Sequence, residues 1–401
     1  MLSNRLSSIT PSVTIGISSK VSELKNLGRD IINLSIGEPD FNVPEKAKSV
    51  GIDSLNNNET KYNLVSGIKI LREEICKKLL SENNCNYSID EIVVSNGAKH
   101  AITNTLLAVT NPRDEVLLPK PYWVSYSEMT KIVNAVPVPI ETEKDNDFKL
   151  TGELLEKYIT DKTKLLILTN PSNPTGAVYK KEELIDIANV CLKHNIYILA
   201  DEIYEKICYT DKFVSVASLS DEIKDITITI NGFAKSAAMT GVRLGYSASN
   251  KEIAKGINAI QGHLVSHPSL TSQYIGYGAL TQCSDDINNM VRTYKYRRDL
   301  ITSKLDTIPN IEYVYPEGAF YVFIDLSKIK DKFNYKESFS IGFCEKFLEE
   351  YNVAIVPGLA FGIDDYVRIS YACKEDYFLE ALDRLNVFIS NIMQPNTINN
   401  Y

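Results

Sequence analysis

The chain has 401 residues, of which 44% are hydrophobic and 9% aromatic, with a formal net charge of −8. That length admits one large α/β unit with a smaller companion, because single cores stop growing at about 250–300 residues. The composition excludes a disordered chain, and the acidic balance argues against general nucleic-acid binding, which needs clustered Lys and Arg.

No apolar run reaches the length of a membrane span, and "MLSNRLSSIT" lacks the charged start and apolar core of a secretory leader. The protein is therefore expected in the cytoplasm, with no membrane and no nucleic-acid partner. Its seven cysteines are scattered, odd in number and never in a C-x-x-C pair, which reads as reduced thiols. Of the four histidines, only His263 and His267, in "HLVSH", share an H-x-x-x-H spacing, and no metal site is expected.

In chain order, residues 1–44 carry one helical stretch and a strand, "IINLSIGEPDF", and are assigned to an N-terminal arm and part of a small domain. Residues 45–285 alternate β-rich runs with helical stretches, the pattern of a parallel sheet with crossover helices. "DEIVVSNGAKHAITNTLLAV" reads as strand, glycine turn and helix. "DEVLLPKPYW", "KTKLLILTNPSNPTG", "NIYILADEIYE" and "DITITINGFAK" each read as a buried strand ending in small or polar residues, and "KKEELIDIANVCLKHN" as a helix with a charged start. Residues 286–401 change pattern. "MVRTYKYRRDLITSKL" is helical, "GAFYVFIDL" and "YVRISYA" are strands, "DYFLEALDRLNVFISNIM" is a closing helix, and "QPNTINNY" is a tail expected to fray. The fold class is α/β: a large, doubly wound, mostly parallel sheet domain with a smaller α+β domain.

Open α/β sheets bind ligands at the carboxyl ends of their parallel strands, and four such ends carry suggestive groups. After "IVVS" come Asn96, Gly97, Ala98 and Lys99, opening a helix whose free N–H groups favour a phosphate; alone, a glycine turn before a helix is more often just a turn. After "LLILTN" stands Asn173 between two prolines, in what is equally a rigid loop. After "IYILA" come Asp201, Glu202 and Tyr204, where the carboxylate could simply cap a turn. After "ITITI" comes Lys235 among Ala234, Ser236, Ala237 and Ala238. An isolated lysine usually snorkels to solvent, yet these small neighbours leave its amine poorly hydrated, which lowers the pKa as a Schiff-base lysine requires.

Together the four ends suit pyridoxal phosphate. It needs an amine for its aldehyde, a carboxylate for its ring nitrogen, donors for its phenolate oxygen and an anion pocket for its phosphate. Lys235, Asp201, Asn173 with Tyr204, and Gly97 to Lys99 with Arg243 answer these needs in turn.

These residues stand in an ordered set, "PSVTIGISSK", "SIGEPDF", "TKY", "NGAKHA", "PYWVSY", "PSNPTGAVY", "ADEIYE", "NGFAKSAAMTGVRLGY", "PEGAFYVF", "VPGLAFG" and "VRISYA". Through that set the chain resembles, nearly end to end, the class I, fold-type I, pyridoxal-phosphate aminotransferases, most closely the bacterial-type aspartate and aspartate/prephenate enzymes. The resemblance implies Lys235, Asp201 and Tyr204 as the catalytic set, with Lys235 the Schiff-base lysine and Asp201 the partner of the pyridine nitrogen. It implies Asn173 and Tyr204 at the phenolate oxygen and Trp123 stacked on the ring. It also implies Ala98, Lys99 and Arg243 at the phosphate, and Tyr62 reaching the neighbouring subunit of a homodimer with shared sites. Arg368, Gly37, Asn173 and Trp123 would bind the amino-acid substrate, Arg368 gripping its α-carboxylate. Without the likeness, Arg368 reads as an exposed strand arginine. Lys99, Ser12 and Thr14 would take a distal carboxylate.

The implied reaction moves the amino group of L-aspartate to 2-oxoglutarate, giving oxaloacetate and glutamate by a ping-pong Schiff-base route. Alternatives are an aminotransferase for aromatic or neutral amino acids or for prephenate, a β-lyase on the same fold, or a non-catalytic regulator. The chain departs from the family pattern at Gly232 and Ala234, where hydroxyl residues are usual, at Val242, where tryptophan is usual, and across "QGHLVSHPS". In the last, His263 and His267 replace part of a Ser/Thr-rich run near the substrate mouth.

Overall fold

The computed structural model describes residues 3–11, 13–210 and 213–394. Strands in chain order are β1 (Ile32–Asn33), β2 (Ile92–Ser95), β3 (Glu115–Pro119), β4 (Val136–Ile140), β5 (Thr163–Thr169), β6 (Tyr197–Asp201) and β7 (Thr227–Gly232). They continue as β8 (Gly245–Ala248), β9 (Glu312–Val314), β10 (Tyr321–Asp325), β11 (Val353–Ala354), β12 (Val356–Pro357) and β13 (Tyr366–Ser370).

Seven strands form the large sheet in the order β2-β8-β7-β6-β5-β3-β4. The apolar runs of β5 and β6 are what a strand covered on both faces requires. Along β5, Leu165 and Ile167 enter one core, with Val93, Leu199 and Ile228, while Leu166 and Leu168 enter another, with Ile198 and Ala200. This two-residue period sorts side chains onto opposite faces. The helix Lys181–Lys193 covers the second face with Leu184, Ile187, Ala188 and Cys191, one stripe at helical spacing. The helices Ala98–Val109 and Lys251–Leu264 cover the first with Ile102, Leu106, Ile253 and Ile257. Fully burying each such aliphatic side chain contributes about 1.5–3 kcal/mol.

Strands β3, β4, β5, β6 and β7 run parallel, and β8 is antiparallel to both β7 and β2. Two reversals restore direction, so β2 points the same way as β7. The carboxyl ends of β2, β5, β6 and β7 therefore lie on one edge, and β8 begins there.

A second, antiparallel sheet has the order β12-β13-β10-β9, and β1 pairs parallel with β11. Leu34 links the two, its N–H bonding to Ala354 O and its carbonyl accepting from Ser370 N. Ile203, Tyr204 and Ile207, which follow β6, share a core with Phe320, Tyr321 and Val322 of the second sheet. That shared core sets β10 and β13 against the strand-end edge of the large sheet. All seven cysteines are free thiols. Among the described residues no helix is long and apolar enough to cross a membrane.

Candidate active site

A cavity of about 530 Å³ opens on that edge, within the usual size of small-molecule sites. Its wall includes Gly37, Ala98, Lys99, Trp123, Asn173, Asp201, Tyr204, Lys235, Arg243 and Arg368. Ten residues singled out in the sequence thus meet around one space. Gly97 stands just behind, as the turn before the helix Ala98–Val109, with φ +84. Tyr62 lies elsewhere, 90% exposed beside His267. Ser12 and the side chain of Thr14 lie outside the described residues.

Asp201 ends β6 and is 3% exposed. Its Oδ2 accepts from the Tyr126 hydroxyl at 2.6 Å and its Oδ1 from the Ile203 N–H at 3.3 Å. Burial pushes its carboxyl up to about 6, against these hydrogen bonds and Lys235, which pull it down. Lys235 follows β7 on the neighbouring strand and donates to Gly37 O. Its amine, half-buried on the cavity wall, is pushed down to about 8, by burial first and Arg368 next. An amine titrating there is available as a neutral base near physiological pH.

Arg368, on β13, is 3% exposed and donates to Asn173 Oδ1 at 3.0 Å and to Ser35 O at 2.9 Å. Its guanidinium lies 4.3 Å from the Tyr321 ring centre, and its Nε has no hydrogen-bond partner among the described residues. A buried, unpaired donor at a cavity wall favours an incoming acceptor. The Tyr204 and Tyr321 hydroxyls are 2.9 Å apart, and burial raises the pKa of both phenols. At the other side Lys99 Nζ lies 4.7 Å over the Trp123 ring, its pKa lowered by burial and by Arg243.

Arg243 precedes β8 in left-handed backbone, φ +57, strain of the kind that concentrates at functional sites. A Cβ on Gly97 would come within 2.7 Å of Arg243 Nη2, so this glycine lets the guanidinium approach the helix N-terminus. Gly232 and Gly245 do the same for backbone. A Cβ on Gly232 would meet Gly245 Cα at 2.8 Å, and one on Gly245 would meet Ala98 N at 2.5 Å. A hydroxyl-bearing side chain at 232 has no room in this packing, which accounts for one departure from the family pattern. Ser236, one step beyond the lysine, hydrogen-bonds Gly232 O at 3.2 Å.

The acidic and basic residues of the wall are Glu38, Asp201, Lys99, Lys235, Arg243 and Arg368, four cationic residues against two carboxylates in a chain of net charge −8. The excess of positive charge, the unpaired Arg368 Nε and the helix N-terminus beside Arg243 fit a ligand with a phosphate and a substrate with a carboxylate.

Comparison with known proteins agrees: the profile of the family described as "Aminotransferase class I and II" matches residues 29–385. The chain belongs to the class I and II aminotransferases. Among its relatives is an aspartate aminotransferase of Bacillus sp. strain YM-2, 41% identical, covering 97% of this chain and 99% of the relative. Another is a probable aspartate/prephenate aminotransferase of Rickettsia typhi, 43% identical over 96% of this chain and 98% of the relative. The crystal structure of Thermus thermophilus aspartate aminotransferase with maleate superposes with a TM-score of 0.91 at 35% identity, covering 96% of this chain and 99% of that one. The α/β fold and the bacterial aspartate-type likeness are as expected from the sequence, and the family uses pyridoxal phosphate.

The cavity and its supports also contain residues not singled out beforehand. Tyr126 and Thr169 support Asp201, their hydroxyls 2.8 Å apart. Tyr321 backs both Tyr204 and Gly37, where an added Cβ would stand 2.7 Å from its hydroxyl. Glu38 accepts from the Thr240 hydroxyl at 2.9 Å across the mouth. Tyr126 and Tyr321 both lie inside quoted motifs, "PYWVSY" and "PEGAFYVF", but a phenol in an apolar run carries no mark that separates a site residue from core.

Proposed function

We propose that this aminotransferase binds pyridoxal phosphate and transfers the amino group of L-aspartate to 2-oxoglutarate, as a cytoplasmic homodimer with shared sites. The observation that carries the reading is one cavity lined by Lys235 together with three further cationic side chains, Arg368, Lys99 and Arg243. When bound, the cofactor supplies an aldehyde that takes up amines and a ring that accepts electrons.

In this reading Asp201 hydrogen-bonds the ring nitrogen and keeps it protonated. Asn173 and Tyr204 hold the phenolate oxygen, and Trp123 covers a ring face. The Ala98 and Lys99 N–H groups with Arg243 hold the phosphate behind the Gly97 turn, and Tyr62 reaches the phosphate of the neighbouring subunit. Arg368 grips the substrate α-carboxylate with Gly37 and Asn173 beside it. Its planar fork suits that group better than an ammonium would. Lys235 Nζ takes the proton from the substrate α-carbon and returns it, a role that an amine titrating near 8 can fill. Lys99, with Ser12 and Thr14, receives the distal carboxylate.

The relatives support the choice of donor. The Bacillus protein is named an aspartate aminotransferase, and the Thermus enzyme was crystallised with maleate, a four-carbon dicarboxylate. The Rickettsia name favours a second reading, prephenate as acceptor, in which Lys99 serves the phosphate alone. Purified protein given pyridoxal phosphate is tested with aspartate, phenylalanine and glutamate as donors, against 2-oxoglutarate, oxaloacetate and prephenate. Fastest turnover of aspartate with 2-oxoglutarate upholds the first reading. A preference for prephenate replaces it with the second, and no cofactor uptake at all removes both.

A further inference from the structure

The segment "QGHLVSHPS" departs from the family pattern without touching the cavity. In space, three side chains from this region hold one loop, residues 63–68. Gln261 is fully buried; its Nε2 donates to Val65 O and Val94 O, both at 2.8 Å, and its Oε1 accepts from Ser95 Oγ at 2.6 Å and Asn104 Nδ2 at 3.1 Å. Gln273 Oε1 accepts from the Ile68 N–H at 2.7 Å, and its Nε2 donates to Pro268 O at 2.8 Å. His267 makes the third attachment, its Nε2 accepting from the Asn63 N–H at 3.0 Å.

The other His267 nitrogen, Nδ1, is 2.7 Å from Pro268 O. An amide N–H only donates and a carbonyl only accepts, so these two contacts assign one tautomer, with the proton on Nδ1. Ser266 precedes it in left-handed backbone, φ +63, which non-glycine residues rarely adopt. One residue before Asn63 stands Tyr62, 90% exposed, with its ring edge-on to His267 at 6.1 Å between centres. A cleft of about 450 Å³ lies beside the pair, lined by Glu59, Lys61 and Leu270 among others. An aromatic ring turned to solvent gains little from its own chain. Of the three attachments, that of His267 falls on Asn63, the residue that follows Tyr62, and those of Gln261 and Gln273 fall on Val65 and Ile68.

We infer that His267 is a positioning residue for Tyr62, fixing the backbone at Asn63 so that the tyrosine is presented to the site of a second copy of this chain. The inference rests on the proposed function, in which Tyr62 reaches the cofactor phosphate of the neighbouring subunit. His267 is not among the residues that line the cavity of its own chain. It acts through one backbone hydrogen bond and one ring contact.

The test is the dissociation constant of pyridoxal phosphate, titrated by its absorbance into the dimeric protein, for Y62F, H267F, H267Q and the Y62F/H267F double variant. Phenylalanine at 267 keeps the ring contact but offers the Asn63 N–H no acceptor, so the cofactor is held about three- to ten-fold more loosely. The glutamine variant keeps an acceptor at similar reach and stays within about two-fold of the unmodified protein. The double variant is no looser than Y62F alone, because the two residues act as one unit. If Y62F loosens the cofactor while H267F does not, or if the two losses add in full, the positioning role is wrong and the shared site stands. If Y62F binds as tightly as the unmodified protein, the reading beneath fails and the inference with it. Should H267F not fold, H267A takes its place with the same outcomes.

Discussion

The Tyr126 hydroxyl donates to Asp201 Oδ2 at 2.6 Å across a separation of 75 positions in the chain. Burial raises the Asp201 carboxyl to about 6, and the Tyr126 hydrogen bond is the strongest influence that holds it from rising further. Tyr126→Phe removes a bond to the charged form, so the pKa rises again and the carboxylate is lost at a higher pH. The acid midpoint for cofactor uptake by the ligand-free protein is expected to move up by about one unit. Uptake measured from pH 5 to 8 decides it, and an unmoved midpoint would remove Tyr126 from the support of Asp201.

Lys235 is expected to be both indispensable and costly. Lys235→Met should lower turnover by on the order of a hundred- to ten-thousand-fold, the range for loss of a positioned acid-base group. The folded chain holds this amine near 8, below its ordinary value. Between those two values the unfolded chain binds more protons, so this group's contribution to stability rises with pH. Methionine relieves the burial of charge, and the ligand-free variant should be more stable at pH 7 by about 1–3 kcal/mol. The gain should shrink by pH 10. Denaturant melts at both pH values provide the check, and a variant less stable at pH 7 contradicts the argument.

Arg368→Lys keeps the charge but loses the fork that now serves Asn173, Ser35 and the open Nε. The loss in kcat/KM should be on the order of a hundredfold. It should be similar for every amino acid, because all carry the α-carboxylate. A loss confined to aspartate would move Arg368 to the distal carboxylate instead.

Lys99→Gln should show the opposite selectivity. Removing the ammonium that lies over Trp123 leaves a distal carboxylate unpaired, so aspartate turnover should fall about ten- to a hundred-fold in kcat/KM. Phenylalanine should change far less. Equal losses for both donors would leave Lys99 with the phosphate alone.

Behind the site, Lys78 pairs with Glu205, both side chains under 9% exposed, and Asn83 Nδ2 donates to the same carboxylate at 2.7 Å. Nearby Glu202 is pushed up to about 8 by burial and by Glu205. Lys78→Met strands a buried negative charge and should destabilise the protein by about 3–5 kcal/mol. Denaturant melting and kinetics on the folded fraction would test it, with kcat/KM expected to stay near that of the unmodified protein. A variant of unchanged stability would show that Glu205 is neutral without its partner.

The strand ends were legible in the sequence because a run such as "IYILA" closing on Asp201 joins two patterns, an apolar buried strand and a polar stop. The direction rule for parallel sheets then places Asp201, Asn173, Lys235 and Gly97 on one edge. Tyr126, Tyr321 and Ser35 were not legible as site residues, since their roles depend on which segments the shared core brings together. The meaning of Gly232 was also hidden. Its missing side chain read only as a departure from the family pattern, whereas the fold shows a contact between two backbones. Tyr62 stood out only through family likeness, since its ring is 90% exposed in the single chain.

That backbone contact bears on how such an enzyme can change. Around the start of the helix Ala98–Val109, Gly232 and Gly245 pack against backbone that a side chain would strike, and Gly97 holds φ +84 beside Arg243, a backbone that other residues rarely adopt. The anion cradle is therefore closed to tuning by substitution. The rim is not: Lys99, Glu38 and Thr240 line the opening with side chains that can be exchanged. New substrate preferences in this scaffold have their accessible paths through the rim, and a library aimed at altered specificity should leave the glycine floor untouched.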